Sequence, residues 1–235
     1  MFKRIKENVP NLITLCNLLS GCVAIYMAFN LDETMGGLTG QQWAWIWIGI
    51  AAVFDFCDGA SARVLHAYSG LGRELDSLSD LISFGVAPGM LMLNVMFAHS
   101  QIHWLCWSAL LIPLMGAYRL AKFNVDTRQT TSFRGLPIPA NAIFWIGMCG
   151  WIERYMYPGT VVMAVLIALV SWLMISDMPM FSLKFKNFDW RENFRRYVIL
   201  LATLAFILVW GVAGLVWAIV LYIFISAMGR RNIEA

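Results

Sequence analysis

Charge is scarce in this chain: Asp, Glu, Lys and Arg make up 13% of its 235 residues, where a soluble domain carries about a quarter. With 60% hydrophobic residues and a mean hydropathy of +0.68, the chain is expected to be an integral membrane protein. Removing its long apolar runs leaves no stretch that could form a soluble domain. Cysteine is sparse and odd in number: Cys16, Cys22, Cys57, Cys106 and Cys149 show neither CxxC nor Cys/His spacing. That excludes a disulfide framework and argues against a zinc site. The three histidines, His66, His99 and His103, are scattered. The formal net charge is +3, but the basic residues fall in separate short loops, so no stripe is present to hold a nucleic acid. No small-residue cleavage site follows the basic start, so the first apolar run is expected to stay as a span rather than be removed as a signal peptide.

What is abundant is apolar sequence, in runs at about 12–29, 43–65, 77–98, 103–121, 140–156, 159–177 and 197–228. The last is too long for one ordinary span, and charge divides it. With Lys3, Arg4 and Lys6 cytoplasmic, a tight hairpin near Gly211 to Gly214 returns Arg230 and Arg231 to the same side. Arg154 is then the one basic residue of 17 left outside. The expected fold is all-α: a polytopic membrane bundle of about eight transmembrane helices forming a single domain, 1–235, with both termini cytoplasmic. Segment 1–9 suits a short interfacial helix on the anionic inner leaflet, and 181–196, which alternates aromatic and basic residues, suits a second interfacial element. Asp32, Glu33, Gly36, Gly37 and Gly40 read as a solvated outer turn.

The rare charges then become informative. Asp55 and Asp58 are three residues apart, and Asp76 and Asp80 four apart. On two helices each pair points from one face, so four carboxylates can converge at the cytoplasmic end of spans two and three. An ionised Asp near a bilayer centre costs roughly 2.5 to 3.5 kcal/mol, so a cation must sit among them. Oxygen ligands without Cys or His select Mg²⁺, Mn²⁺ or Ca²⁺. A metal at the membrane surface suits a substrate with a phosphate in the headgroup layer and its tails in lipid. Gly59 and Gly72 are disfavoured in helix interiors and would let a headgroup approach the backbone; Arg63 could add a phosphate contact. A proton or ion path through a transporter is the other use of intramembrane Asp residues.

The full string reads D-x-x-D-G-x-x-A-R, eight residues, then G-x-x-x-D-x-x-x-D, over residues 55–80. It resembles the defining motif of the CDP-alcohol phosphatidyltransferase family at Asp55, Asp58, Gly59, Ala62, Arg63, Gly72, Asp76 and Asp80. The resemblance sets the transporter aside and implies a two-metal centre, Mg²⁺ or Mn²⁺, held by Asp55, Asp58, Asp76 and Asp80. It further implies a CDP-linked lipid whose diphosphate binds there, among Asn11, Thr14, Asp58, Gly59, Ala62, Arg63 and Gly72. Asp80 would take the proton of the incoming alcohol. Pro10, Asn11, Thr14 and Asn17 resemble the family's opening helix, which closes over the nucleotide; a plain helix start capped by Asn11 is the alternative.

The acceptor is suggested by other strings: Ser83 to Pro88, Tyr118 to Asn124, and Phe133 to Ala140. These look like the phosphatidylserine synthase branch, with Lys122 where that branch carries a second arginine. The resemblance covers about residues 9 to 150 and implies L-serine as acceptor, CDP-diacylglycerol as donor, and a homodimer in the inner membrane. Serine needs a cation for its carboxylate and an acceptor for its ammonium, and Arg119 or Arg134 with Asn124 could supply these. A phosphatidylglycerophosphate synthase using glycerol 3-phosphate is the alternative, since Arg119, Lys122, Arg128 and Arg134 offer several cations for a dianion.

Overall fold

The computed structural model describes residues 2–125, 133–181 and 189–228, and these are mostly helical. The chain begins with α1 (Phe2–Phe29), which runs unbroken through Pro10. The expected separate interfacial helix and the Asn11 cap are therefore corrected: residues 2–9 are the first turns of α1. Proline removes one backbone donor and disfavours helix for the residue before it, which is why a break was expected. One face of α1 is small or polar and buried, at Pro10, Thr14, Asn17, Ser20, Gly21, Ala24 and Ala28, while Leu12, Leu15, Leu19 and Tyr26 face outward. Such a small-residue stripe lets helices approach closely where lipid, not water, surrounds them.

A two-residue ribbon, β1 (Thr34–Met35) with β2 (Leu38–Thr39), closes through Gly36 and Gly37 and leads into α2 (Gly40–Leu65). Thr39 caps α2 in a reciprocal box with Gln42. At its other end His66 takes a left-handed conformation and stops the helix. Then α3 (Gly70–Asp80), a π-helical turn (Leu81–Val86) and α4 (Ala87–His99) form one continuous rod. After α5 (His103–Cys106) and a 3-10 turn (Trp107–Leu110) comes α6 (Leu111–Val125). A second two-residue ribbon joins β3 (Phe133–Arg134), just before α7 (Ile138–Arg154), to β4 (Pro179–Met180), just after α8 (Thr160–Ile175).

The C-terminal part is a hairpin of α9 (Trp190–Trp210) and α10 (Gly214–Met228), turned by a 3-10 segment at Gly211–Ala213. Gly211 has φ +62°, which favours glycine. A Cβ on Gly214 would collide with the Phe206 carbonyl, so the two helices touch at their backbones. The second expected interfacial element falls partly on 182–188, outside the described residues, and its end is the start of α9. Among the described residues four helical segments are long and apolar enough to cross a membrane: Asn8–Phe29, Gly70–His99, His103–Val125 and Asn193–Met228, the last doubled back at Gly211. Trp145, Phe84, Leu91, Met92, Met96 and Ile112 fill the centre of the bundle. α1 packs against α2, α3 and α4, and this contact brings the sparse carboxylates together.

Candidate active site

Asp76 and Asp80, one turn apart on α3, meet Asp55 from just past the middle of α2. One oxygen of each lies within 4.8 Å of the other two, and all three side chains are half-buried. At that spacing each pair of ionised groups repels by about 3 kcal/mol at an effective dielectric constant of about 20. The donor to Asp80 is a neutral amide, Asn17 Nδ2 at 3.3 Å, which cannot offset that repulsion. The Asn17 Oδ1 beside it is buried with no partner. Clustered hard oxygens and an orphaned acceptor fit a divalent cation of the Mg²⁺ or Mn²⁺ kind, and the donor set holds no thiolate or imidazole to favour zinc.

Asp58 stands apart from this triad. It is buried, and its Oδ2 accepts a 2.6 Å hydrogen bond from Thr14 Oγ1, a charge-assisted bond that ties α1 to α2. Thr14 also lies 3.0 Å from the Pro10 carbonyl. Further along α1, Ser83 Oγ donates to the Asn17 carbonyl at 3.0 Å. The crossing needs Gly21: a Cβ there would lie 2.8 Å from Ser83 Cα. Asp80 is thus held from one side by α1 and followed at once by the π turn, a departure from α geometry frequent at functional sites.

A cleft of about 550 Å³ opens beside the triad, between the start of α1, the end of α2 and the start of α3. Of the residues expected to hold the lipid-linked nucleotide, Asn11, Thr14, Asp58, Gly59, Ala62 and Gly72 line it, and Asp76 joins it to the triad. Arg63 is exposed and does not line it. Five residues beyond Asp58 turn a helix by about 140° from that side chain, which aims Arg63 elsewhere. Gly59 has nothing within 4 Å of where a Cβ would be, so its missing side chain leaves cleft rather than packing. At Gly72 a Cβ would lie 3.0 Å from both Asn11 Oδ1 and Ser69 Oγ, so that glycine also makes room for protein.

Sequence reasoning missed Ala67, Tyr68, Ser69, Gly70 and Arg73, which complete the wall with Pro10. Tyr68 and Ser69 fall in the eight-residue gap of the motif, where spacing carries no information. Ser69 was legible as a cap: its Oγ accepts the Gly72 N–H at 2.9 Å and starts α3. The start of α3, at Gly70, Gly72 and Arg73, therefore borders the cleft, and a helix N-terminus there suits phosphate.

On the acceptor side the three candidates part ways. Arg119, on α6, is 8% exposed, its Nε is buried without a partner, and its electrostatic neighbours are Asp80 and Tyr222. Asn124 Nδ2 donates to Ser77 Oγ at 2.9 Å, binding α6 to α3 at the residue after Asp76. Arg134 is exposed and lies 3.8 Å from Asp177, which also receives Lys122 at 3.1 Å. Arg128 lies outside the described residues.

The family model for CDP-alcohol phosphatidyltransferases matches residues 7–177. The chain belongs to that family. The match thus covers the cleft, the triad and the first ribbon, ends just before β4 of the second, and leaves the α9–α10 hairpin beyond it. A Bacillus subtilis protein named CDP-diacylglycerol–serine O-phosphatidyltransferase is 34% identical over 183 residues, covering 77% of this chain and 90% of its own. One of the same name from Methanocaldococcus jannaschii is 34% identical over 170 residues, 72% of this chain and 71% of its own. An archaetidylserine synthase from Methanothermobacter thermautotrophicus is 37% identical over 137 residues, 57% of this chain and 54% of its own.

Proposed function

We propose that this protein transfers the phosphatidyl group of CDP-diacylglycerol to L-serine, giving phosphatidylserine and CMP. The observation that carries the reading is the Asp55–Asp76–Asp80 triad opening through Asp76 into a cleft walled by the motif. The serine acceptors named in the relatives support the choice of alcohol. So does the charge arrangement: Lys122 and Arg134 both pair with Asp177 and are not spare for a dianion such as glycerol 3-phosphate.

In this mechanism the nucleotide diphosphate enters the cleft between the start of α3 and the α1 face bearing Asn11 and Thr14. Thr14 keeps Asp58 aligned, and Gly59 leaves space for the headgroup. Arg119 takes the serine carboxylate. Asp80, aligned by Asn17, accepts the serine hydroxyl proton as its oxygen bonds to the phosphorus next to diacylglycerol. The bond from that phosphorus to the bridging diphosphate oxygen breaks, and CMP leaves with the electron pair. Asp55, Asp76 and Asp80, with Asp58 behind them, would hold one or two Mg²⁺ or Mn²⁺ ions, which when bound neutralise charge on the diphosphate oxygens.

The remainder of the reading is architectural. Eight helical passes (α1, α2, α3–α4, α5–α6, α7, α8, α9 and α10) form one domain in the inner membrane of the cell. Both termini and the cleft face the cytoplasm, and the working unit is a homodimer. An acceptor panel tests the function: purified protein, CDP-diacylglycerol and divalent metal are given serine, glycerol 3-phosphate, inositol or inositol phosphate, and CMP release is followed. Serine alone should support release, and excess EDTA or Asp80→Asn should abolish it. Release with glycerol 3-phosphate and none with serine would replace this reading.

A further inference from the structure

Asn17 spends only half of its side chain on Asp80. Its Nδ2 donates to Asp80 Oδ1 at 3.3 Å, while its Oδ1, the other arm of the same amide, is buried with no partner among the described residues, and the residue as a whole is 0% exposed. A buried amide oxygen without a donor costs free energy and calls for a reason. Turning the amide over would set that oxygen against a carboxylate. The backbone is held in place as well: Ser83 Oγ donates to the Asn17 carbonyl at 3.0 Å, and one turn farther on Gly21 allows an approach to Ser83 that a Cβ would block.

Asn11 and Thr14 wall the cleft that takes the nucleotide, whereas Asn17, about 4.5 Å farther along the helix axis, does not line it and meets Asp80 instead. In-line displacement sets the attacking oxygen opposite the leaving diphosphate oxygen, so the acceptor belongs on the side of the phosphorus away from the nucleotide. In serine the hydroxyl oxygen and the ammonium nitrogen sit on adjacent carbons, roughly 3 to 4 Å apart in staggered rotamers. A hydroxyl seated on Asp80 therefore carries its ammonium to a direct neighbour of Asp80. Asn124, the amide expected for this contact, is tied to Ser77 Oγ. We propose that Asn17 is a binding residue of the acceptor subsite, its Oδ1 accepting a hydrogen bond from the serine ammonium while its Nδ2 steadies Asp80. A bond of 3.3 Å is long for an N–H donor, which leaves amide and carboxylate room to adjust as serine seats across them. The inference rests on the reading of serine as acceptor and Asp80 as base.

Two ligands separate the two arms of the amide: L-serine, and 3-hydroxypropionate, which is serine without its amine. Asn17→Ala should raise the apparent KM for serine about ten- to a hundredfold, the loss expected for a hydrogen bond to a charged group. The inhibition constant of 3-hydroxypropionate, measured in competition with serine, should stay near wild type, because that ligand never used Oδ1. A loosened Asp80 would instead weaken both ligands alike, so the ratio of the two constants isolates the ammonium contact. Asn17→Ser, too short to reach, takes the place of the Ala variant if that one does not accumulate as folded protein. Where a variant turns over too slowly for kinetics, calorimetric titration of its complex with CDP-diacylglycerol and Mn²⁺ reads both constants. Equal rises for the two ligands, or no change in either, overturn the inference and leave Asn17 serving Asp80 alone. A raised half-saturation concentration for Mn²⁺ with both acceptor constants unchanged overturns it as well and gives Oδ1 to the metal. In those cases wild-type CMP release with serine still upholds the proposed function; if serine supports none, that reading fails and this inference with it.

Discussion

At the scale of single residues, the two motif glycines separate by what surrounds them. Gly59→Ala adds a methyl to open space in the cleft and removes a glycine from a helix, worth about 1 kcal/mol in propensity. It should therefore raise or preserve the unfolding midpoint in detergent while raising the KM for CDP-diacylglycerol severalfold. Gly72→Ala presses on Asn11 and the Ser69 cap at 3.0 Å, so midpoint and donor affinity should fall together. Thermal unfolding and donor titration of the two variants check this, and an unchanged donor KM in Gly59→Ala would mean that the headgroup does not approach there. The triad was legible from spacing alone, because four-residue repeats on a helix leave little choice of face. The separate place of Asp58 was not: spacing put it beside Asp55, and Thr14, on a helix 44 residues away, claims it. Arg63 misled because a motif preserves residue identity without saying which way the side chain points.

At the scale of elements, the π turn after Asp80 depends on a helix that contributes no catalytic group. Asn141 of α7 donates to the Phe84 carbonyl at 3.3 Å and accepts from Trp145 Nε1 at 2.8 Å, all fully buried. Asn141→Leu strands both partners, each costing about 1 to 3 kcal/mol. The variant should unfold at lower temperature, and its kcat should drop more than its KM for either substrate rises, since Asp80 is displaced and the cleft is not. Equal losses of kcat and donor affinity would place the disturbance in the cleft instead. No sequence pattern announced the π turn, because its stabilising partner is 57 residues away. The unbroken α1 was hidden for the opposite reason: Pro10 is a strong local signal, and tertiary packing against α2 and α3 outweighs it.

At the scale of the whole molecule, hydropathy and the distribution of Lys and Arg predict a helical membrane protein, because bilayer thickness and surface charge act on whole segments. Topology is testable directly. On a background lacking the native cysteines, single cysteines at Asp32, Gln101 and Tyr155 should react with an impermeant reagent outside intact cells, and one at Arg73 should be protected. Outside labelling at Arg73 would reverse the orientation. Within that frame α1 acts as a ruler. Asn11 and Thr14 meet the cleft, Asn17 meets Asp80, and Gly21 meets Ser83, all along one flank over about 15 Å. Inserting one residue between Asn11 and Gly21 would turn the two ends about 100° out of phase, so that a helix still long enough to cross the membrane could grip the nucleotide or steady the base, but not both. Length in this helix is constrained more tightly than composition, and its outward-facing leucines can vary where its count of residues cannot.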